Sequence, residues 1–320
     1  AIAKLLDENV SAKNILWIDK DFIGGDISKK WYEVPGNTKV DSLNKSFDAF
    51  KSTGYQNAKS KLKFLDPEVV CSLGYLAEAL KEVTKNLLNS GVNTLQESAI
   101  SIENTGNVTS IKTTTQTIKT QKLILATGAE QRDSKSDKTL SLDMALCPTK
   151  LANVDLSNKK IGVVGSSHSA ILVMKNLVDK NVSNIVNFYR SFTKYAIPYN
   201  GKIIYDNTGL KGIAAAWAKE NLENNPSINR IQTNSANYQS ELNDCDIIIY
   251  AMGFEPRNIP INGITNYKHN PHHGIIAPNI YGLGIAYPET VTDEFGNVEQ
   301  NVGLFKFVKF INKVFPIWKI

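Results

Sequence analysis

Cysteine is scarce in this sequence and never paired. The 320 residues hold three, and Cys71, Cys147 and Cys245 lie far apart with no C-x-x-C or C-x4-C spacing between any two. That excludes electron transfer through a dithiol and argues against a disulfide framework. Cys245, flanked by Asp244 and Asp246 at the mouth of an apolar run, reads as a packed thiol. Long apolar runs are missing too. None is long enough to cross a bilayer and no leader peptide is visible, so the expectation is a cytoplasmic chain without stable membrane insertion. Nor does charge of one sign dominate: 36 Lys and Arg against 31 Asp and Glu leave +5. The lysines are spread along the chain and form no basic stripe interleaved with aromatics, which argues against nucleic acid as a partner. Of the four histidines, His269, His272 and His273 share a His-Asn-Pro-His-His-Gly segment. No carboxylate or cysteine accompanies them at ligand spacing, so the segment reads as a surface turn and no metal site is expected.

What is present is an ordinary globular composition, 42% hydrophobic and 21% charged, on a chain long enough for two packed domains. Its most informative stretch runs from Lys160 to Ala170. Ile161-Gly162-Val163-Val164 is a short apolar strand, Gly165-Ser166-Ser167-His168 a tight turn, and a Leu- and Val-rich helix begins near Ser169. A strand, glycine turn and helix in that order form the phosphate-binding opening of a Rossmann unit. Such a turn offers N–H groups at a helix N-terminus to a pyrophosphate. Ser167 stands where the usual pattern has its second glycine, and its Cβ is expected to hold the pyrophosphate slightly away. His168 either touches a phosphate or the nicotinamide, or points to solvent. The second strand, Ile185 to Tyr189, ends on Arg190, a cation suited to the 2′-phosphate of NADP, where an acid would suit NAD. NADPH is therefore expected in preference to NADH.

A second unit of the same kind opens the chain without its front. Ala1 to Leu6 reads as helix, Asn14 to Asp19 as a buried strand ending in a ribose-binding carboxylate, and Gly24-Gly25 as the following turn. An α/β sheet places its first strand at the centre, so about ten residues are expected to precede Ala1. Two further apolar strands close on small residues: Gln121 to Ala129, with Thr127-Gly128, and Asp244 to Pro256, with Ala251 and Gly253. Small residues there let the chain pass beneath a nucleotide and change domain.

Taken together, Asp19, Gly24-Gly25, Thr127-Gly128, Gly165 to Ala170, Arg190 and Ala251 to Pro256 resemble the two-dinucleotide-binding-domain flavoproteins, which carry FAD on one Rossmann domain and NAD(P)H on a second. Gly24-Gly25 followed by Trp31 and by Pro35-Gly36-Asn37-Thr38-Lys39-Val40-Asp41 resembles the flavin-side segment of the flavin-dependent monooxygenases. The resemblance implies an α/β fold of two doubly wound Rossmann-like domains, with an NAD(P) domain over 141–257 inserted into a discontinuous FAD domain over 1–140 and 258–320. It implies FAD and NADPH as cofactors, a small-molecule substrate, and cofactor contacts from Trp31, Asn37, Thr38 and Asp41 and from Ser166, Ser167, His168 and Ser169. Near the C-terminus, Gly284 lies in a third FAD-like motif, although Ile285 stands where many members have Asp. Gly303 precedes a last helix whose N-terminus would face the flavin pyrimidine edge. The bulky His-containing fingerprint of flavin-containing and Baeyer-Villiger monooxygenases is absent from Asp143 to Asp155.

The function expected is an FAD-dependent oxidoreductase taking hydride from NAD(P)H, monooxygenase-like and not a disulfide reductase. A degenerate dinucleotide-binding module without turnover is the alternative. No Ser/His/Asp set or carboxylate pair competes, and no side chain can be named as catalytic. Three segments keep open readings. Asp206 to Gly212 either caps the helix from Ile213, with Asn207 or Thr208 serving its first turn, or covers the cofactor. The run from Phe305, broken by Pro316, either docks on its own domain or lies on a membrane surface. Arg132 to Lys138, charged and Ser-rich, reads as a linker.

Overall fold

The computed structural model describes residues 1–132 and 136–320; three of the linker residues expected between Arg132 and Lys138 lie outside them. The chain divides into two compact units, one of Ala1–Lys29, Thr38–Glu130 and Pro256–Ile320, the other of Lys30–Asn37 and Gln131–Glu255. Parallel and antiparallel sheets both occur, so the fold is mixed α/β.

The second unit is built on a four-stranded parallel sheet in the order Ile228–Gln232, Ile185–Tyr189, Ile161–Val164, Ile247–Tyr250. The central strand Ile161–Val164 is buried at all four positions, which is why it reads as a continuous apolar run with no alternation. Gly162 is needed within it because a Cβ there would press on Cys245 Sγ at 3.0 Å and Phe188 Cε2 at 3.2 Å. Helices His168–Asp179 and Gly212–Asn221 cover one face, supplying Ala170, Ile171, Val173, Met174, Leu177, Ala214 and Ala218 to the core. Helix Tyr238–Asp244 covers the other through Tyr238 and Leu242, against Val164, Val186 and Phe188. Cys245 is fully buried there, its thiol donating to Glu241 O at 3.3 Å, and burial raises its pKa. Trp31 and Val34 of the short segment Lys30–Asn37 pack on the core of this unit.

The first unit has a helical core in which Leu43 and Phe47 of Val40–Asp48, Leu76 and Val83 of Leu73–Leu88, and Phe310, Val314 and Trp318 of Leu304–Trp318 meet. The last helix continues through Pro316 and buries its apolar face on its own unit, the docking alternative of the two read from sequence. Trp318 stacks on Tyr281 at 4.7 Å and donates Nε1–H to His273 O at 2.7 Å. No described helix is long and apolar enough to cross a membrane. The strand expected over Asn14–Asp19 is confined to Leu16–Ile18 and pairs in parallel with Asn93–Leu95. It is not buried as expected: Leu16 is 40% exposed, in a sheet that has two strands among the described residues. Leu123–Leu125 runs parallel to Ile280–Gly282, which pairs antiparallel with Ile275–Ala277. A separate antiparallel sheet joins Ala99–Asn104, Thr109–Thr113 and Thr117–Thr120. Its first hairpin turns through Gly106 at φ +90°, in an Asn-Thr-Gly-Asn segment.

Candidate functional site

In the second unit the candidate site is the turn after Ile161–Val164. Gly165 sits at φ +138°, and a Cβ there would collide with the carbonyl oxygen of Ala251 and reach its carbonyl carbon at 3.0 Å. Only glycine satisfies both the dihedral and the approach. Ala251, at the exit of Ile247–Tyr250, is the small residue passing beneath the turn; Gly253 follows at φ +90° with no atom within 4 Å of its notional Cβ. Ser167 is the N-cap of His168–Asp179 at φ −108°, ψ −171°, and its side chain makes no capping bond. That extended conformation admits any residue, so the backbone does not require the missing second glycine. With no side-chain cap, the first-turn N–H groups are left for another acceptor. Ser166 is within the turn, and Ser169 is the second residue of the helix.

His168 does not point to solvent. Its Nε2 accepts from Lys211 N–H at 3.0 Å and lies 3.4 Å from Asn37 Nδ2. Two donors on one nitrogen make Nε2 the acceptor and place the ring proton on Nδ1. Burial, reinforced by Lys211, lowers the imidazole pKa, so the neutral ring that this geometry needs is favoured. Lys211 is the N-cap of Gly212–Asn221 and its ammonium pairs with Asp206. The N-cap position is thus held by Lys211, whose side chain makes no capping bond, and the loop is fastened to the Gly165 turn through His168.

Segment Lys30–Asn37 is held to the same unit at three points. Trp31 meets Phe254 edge to face at 5.8 Å. Glu33 accepts the Thr149 N–H at 3.0 Å, the main cause of its lowered pKa. Asn37 reaches His168. Beside Glu33, Cys147 is buried, and burial raises its thiol pKa. Arg190 follows the strand Ile185–Tyr189 and is exposed; its carbonyl accepts from Gln232 Nε2 at 3.4 Å. One residue of this strand escaped the sequence reading. Asn187 is fully buried and donates Nδ2–H to Gly165 O at 2.8 Å and Val163 O at 3.1 Å. A lone amide in an apolar strand was the available signal. A concavity of about 410 Å³ lined by Ser136, Lys138, Gln239, Leu242, Asn243, Ile248 and Tyr250 contains none of these residues.

In the first unit, Asp19 follows Leu16–Ile18, and its Oδ1 accepts from the N–H groups of Asp21 at 2.8 Å and Phe22 at 2.9 Å. One carboxylate oxygen thus closes a local turn, leaving Oδ2 as the second acceptor. Gly24 at φ +82° passes Leu80, where a Cβ would meet Leu80 Cβ at 2.9 Å; Gly25 at φ +74° has no atom within 4 Å of its notional Cβ. Thr127 Oγ1 is buried without a hydrogen-bond partner. Gly128, at φ +74°, gives its carbonyl to Arg257 N–H at 3.1 Å, and the Arg257 guanidinium pairs with Asp26. Gly284 at φ +86° is as open as Gly25. Gly303 at φ +138° is the N-cap of Leu304–Trp318, again with no side-chain cap. Thr38 is half-buried in Pro35–Lys39. Asp41 lies in the first turn of Val40–Asp48 and pairs with Lys45 at 2.7 Å. His272 and His273 give their backbone N–H groups to Asn270 Oδ1, and His269 Nε2 lies 2.9 Å from Pro288 O.

No family model matches the chain. The curated monooxygenase AgnR1 of Paecilomyces divaricatus is 32% identical over 375 residues, spanning 99% of this chain and 94% of the relative. Among solved structures, the ornithine N-hydroxylase of Kutzneria sp. 744, determined with reduced FAD, NADP+ and L-ornithine, aligns with a TM-score of 0.61 at 10% identity over 96% of this chain and 99% of that one. The bacillithiol disulfide reductase of Bacillus cereus aligns with a TM-score of 0.62 at 11% identity over 99% of this chain and 94% of that one. At such identities these two structures speak for the fold alone.

Proposed function

The chain belongs to the monooxygenases among the two-dinucleotide-binding-domain flavoproteins, and from that premise we propose that it binds FAD on the first unit and NADPH on the second, and oxygenates a small molecule. The observation that carries this reading is the turn at Gly165, where a glycine-only backbone leads into a helix whose N-terminus has no side-chain cap. On the flavin side the residues fit as well. Thr127 Oγ1 is an orphaned buried hydroxyl, Gly25 and Gly284 present open backbone, and Asp19 keeps one oxygen for ribose hydroxyls.

Ser166, Ser167, His168 and Ser169 would hold the NADPH pyrophosphate through backbone N–H groups. Arg190, an exposed cation at a strand end without an acid, would read the 2′-phosphate. Ala251 and Gly253 would let the chain pass below the dinucleotide. On the first unit, Gly24, Gly25, Asp19, Thr127, Gly128 and Gly284 would seat the flavin nucleotide, and the uncapped helix after Gly303 would favour negative charge on the ring. Trp31 and Asn37 on the second unit, and Thr38 and Asp41 on the first, would each contribute to cofactor contacts; Asp41 is paired with Lys45. With both groups bound, the chemistry supplied is hydride transfer from nicotinamide to flavin and reduction of oxygen by the flavin. The protein's part is orientation and exclusion of water. The absence of a paired dithiol favours oxygen over a disulfide as acceptor.

The test uses purified protein reconstituted with FAD. Anaerobic NADPH should bleach the flavin absorbance, and in air the hydrogen peroxide released per NADPH should fall when the true substrate is added from a panel of amines and carbonyl compounds. Protein that takes up no FAD would refute the reading and favour a binding module without turnover.

A further inference from the structure

Asn187 is the one polar residue of the strand Ile185–Tyr189, and it is completely buried. Its Nδ2 donates to Gly165 O at 2.8 Å and Val163 O at 3.1 Å, while its Oδ1 accepts from Arg230 Nε at 3.2 Å. The amide can stand in only one orientation. Turned over, it would set Oδ1 against two carbonyl oxygens and NH2 against a guanidinium donor.

Gly165 O belongs to the same peptide plane as Ser166 N–H. In a trans peptide these two groups point in opposite directions, so drawing the carbonyl toward Asn187 turns the Ser166 N–H away from the sheet, to the outer side of the turn. Arg230 holds the amide in turn. It lies opposite Asn187 in the pairing of Ile185–Tyr189 with Ile228–Gln232, and its side chain is 10% exposed. Its guanidinium carbon is 4.3 Å from the centre of the Tyr189 ring, and its Nη1 pairs with Glu223. Its Nη2 is buried without a hydrogen-bond partner, a cost tolerated where the group's other contacts are worth more. We propose that Asn187, oriented by Arg230, is a positioning residue that aims the Ser166 N–H at the dinucleotide pyrophosphate. The proposal rests on the reading that the Gly165 turn holds NADPH.

The test is calorimetric titration of NADP+ into the FAD-loaded full chain, with bound flavin and melting temperature measured on each variant. Asn187→Leu keeps the volume and loses the donor; it should bind NADP+ roughly tenfold more weakly with flavin content unchanged. Arg230→Met should weaken binding roughly threefold to fivefold alone, and add little in the Asn187→Leu background, because the two act through one carbonyl. Asn187→Leu binding within twofold of wild type, or full additivity of the pair, would overturn the proposal. Should Asn187→Leu not fold, Arg230→Met alone decides, and wild-type affinity in that variant counts against it. Wild-type protein that binds FAD but not NADP+ would instead overturn the assignment of the dinucleotide to this turn.

Discussion

Replacing Gly165 by alanine adds one methyl group at a place where two costs combine. The backbone there is at φ +138°, a region L-residues enter at about 1–3 kcal/mol. The new carbon would also meet the Ala251 carbonyl oxygen and lie 3.0 Å from its carbon. Those atoms are backbone at the exit of a buried strand, and overpacking of that kind costs about 1–3 kcal/mol more. The sum is about 2–6 kcal/mol, a lowering of the melting temperature of the order of 10 °C for a unit of this size. Gly253→Ala is the matched control: φ is +90° but nothing lies within 4 Å, so the dihedral acts alone at about 1–2 kcal/mol. Thermal denaturation by circular dichroism compares the two, and stopped-flow flavin reduction should show Gly165→Ala losing most of its NADPH-driven rate. Equal melting temperatures for the two variants would show that the Ala251 approach yields freely and refute the reasoning.

Arg190→Ala should weaken NADPH by about 1.5–3 kcal/mol, the range of a charge-assisted contact, and leave NADH nearly unchanged; equal losses in the two Michaelis constants would make Arg190 a solvated cation. His168 has a pKa lowered by burial from its ordinary value of 6.5. The unfolded chain therefore binds the extra proton first, and the stability of the Lys211–His168 contact is whole above pH 6.5 and lost as pH falls through the lower folded value. NADP+ affinity should decline over that acid window in wild type and less so in His168→Gln, whose side chain still offers a neutral acceptor; parallel pH profiles would exclude the contact as the cause. Trp318→Ala removes a side chain that is 2% exposed, stacked on Tyr281 and bonded to His273 O; it should cost about 3–5 kcal/mol in urea denaturation, and a loss below about 1 kcal/mol would mean that the last helix is not docked as described.

Elements whose signals are local were legible in the sequence. The strand, turn and helix from Ile161 to Asp179 follow the apolar run and glycine that announce them. Burial was less legible, because it depends on partners far along the chain. An apolar run gives Leu16–Ile18 its strand and its pairing with Asn93–Leu95, yet Leu16 is left 40% exposed. Membership of a unit is also non-local. Lys30–Asn37 lies close to the Gly24-Gly25 turn in sequence, but Trp31 and Val34 pack into the core of the second unit.

The candidate site divides along the same line. Positive-φ positions can be read from glycine spacing because the backbone demands them, whereas side-chain partners cannot. Asp19 ends a strand as a ribose reader would, but Asp is also a turn former, and the fold gives Oδ1 to the turn. Asn187 and Arg230 are 43 residues apart, joined only once the strands pair. The departure at Ser167 shows what a pattern of glycines contains. Its first glycine answers to the protein: at Gly165 the dihedral and the Ala251 carbonyl leave no room for a Cβ. Its second answers to the ligand, for Ser167 is comfortably extended at φ −108°. A serine there leaves the turn's geometry intact, and under the proposed function its Cβ would set how closely a phosphate approaches.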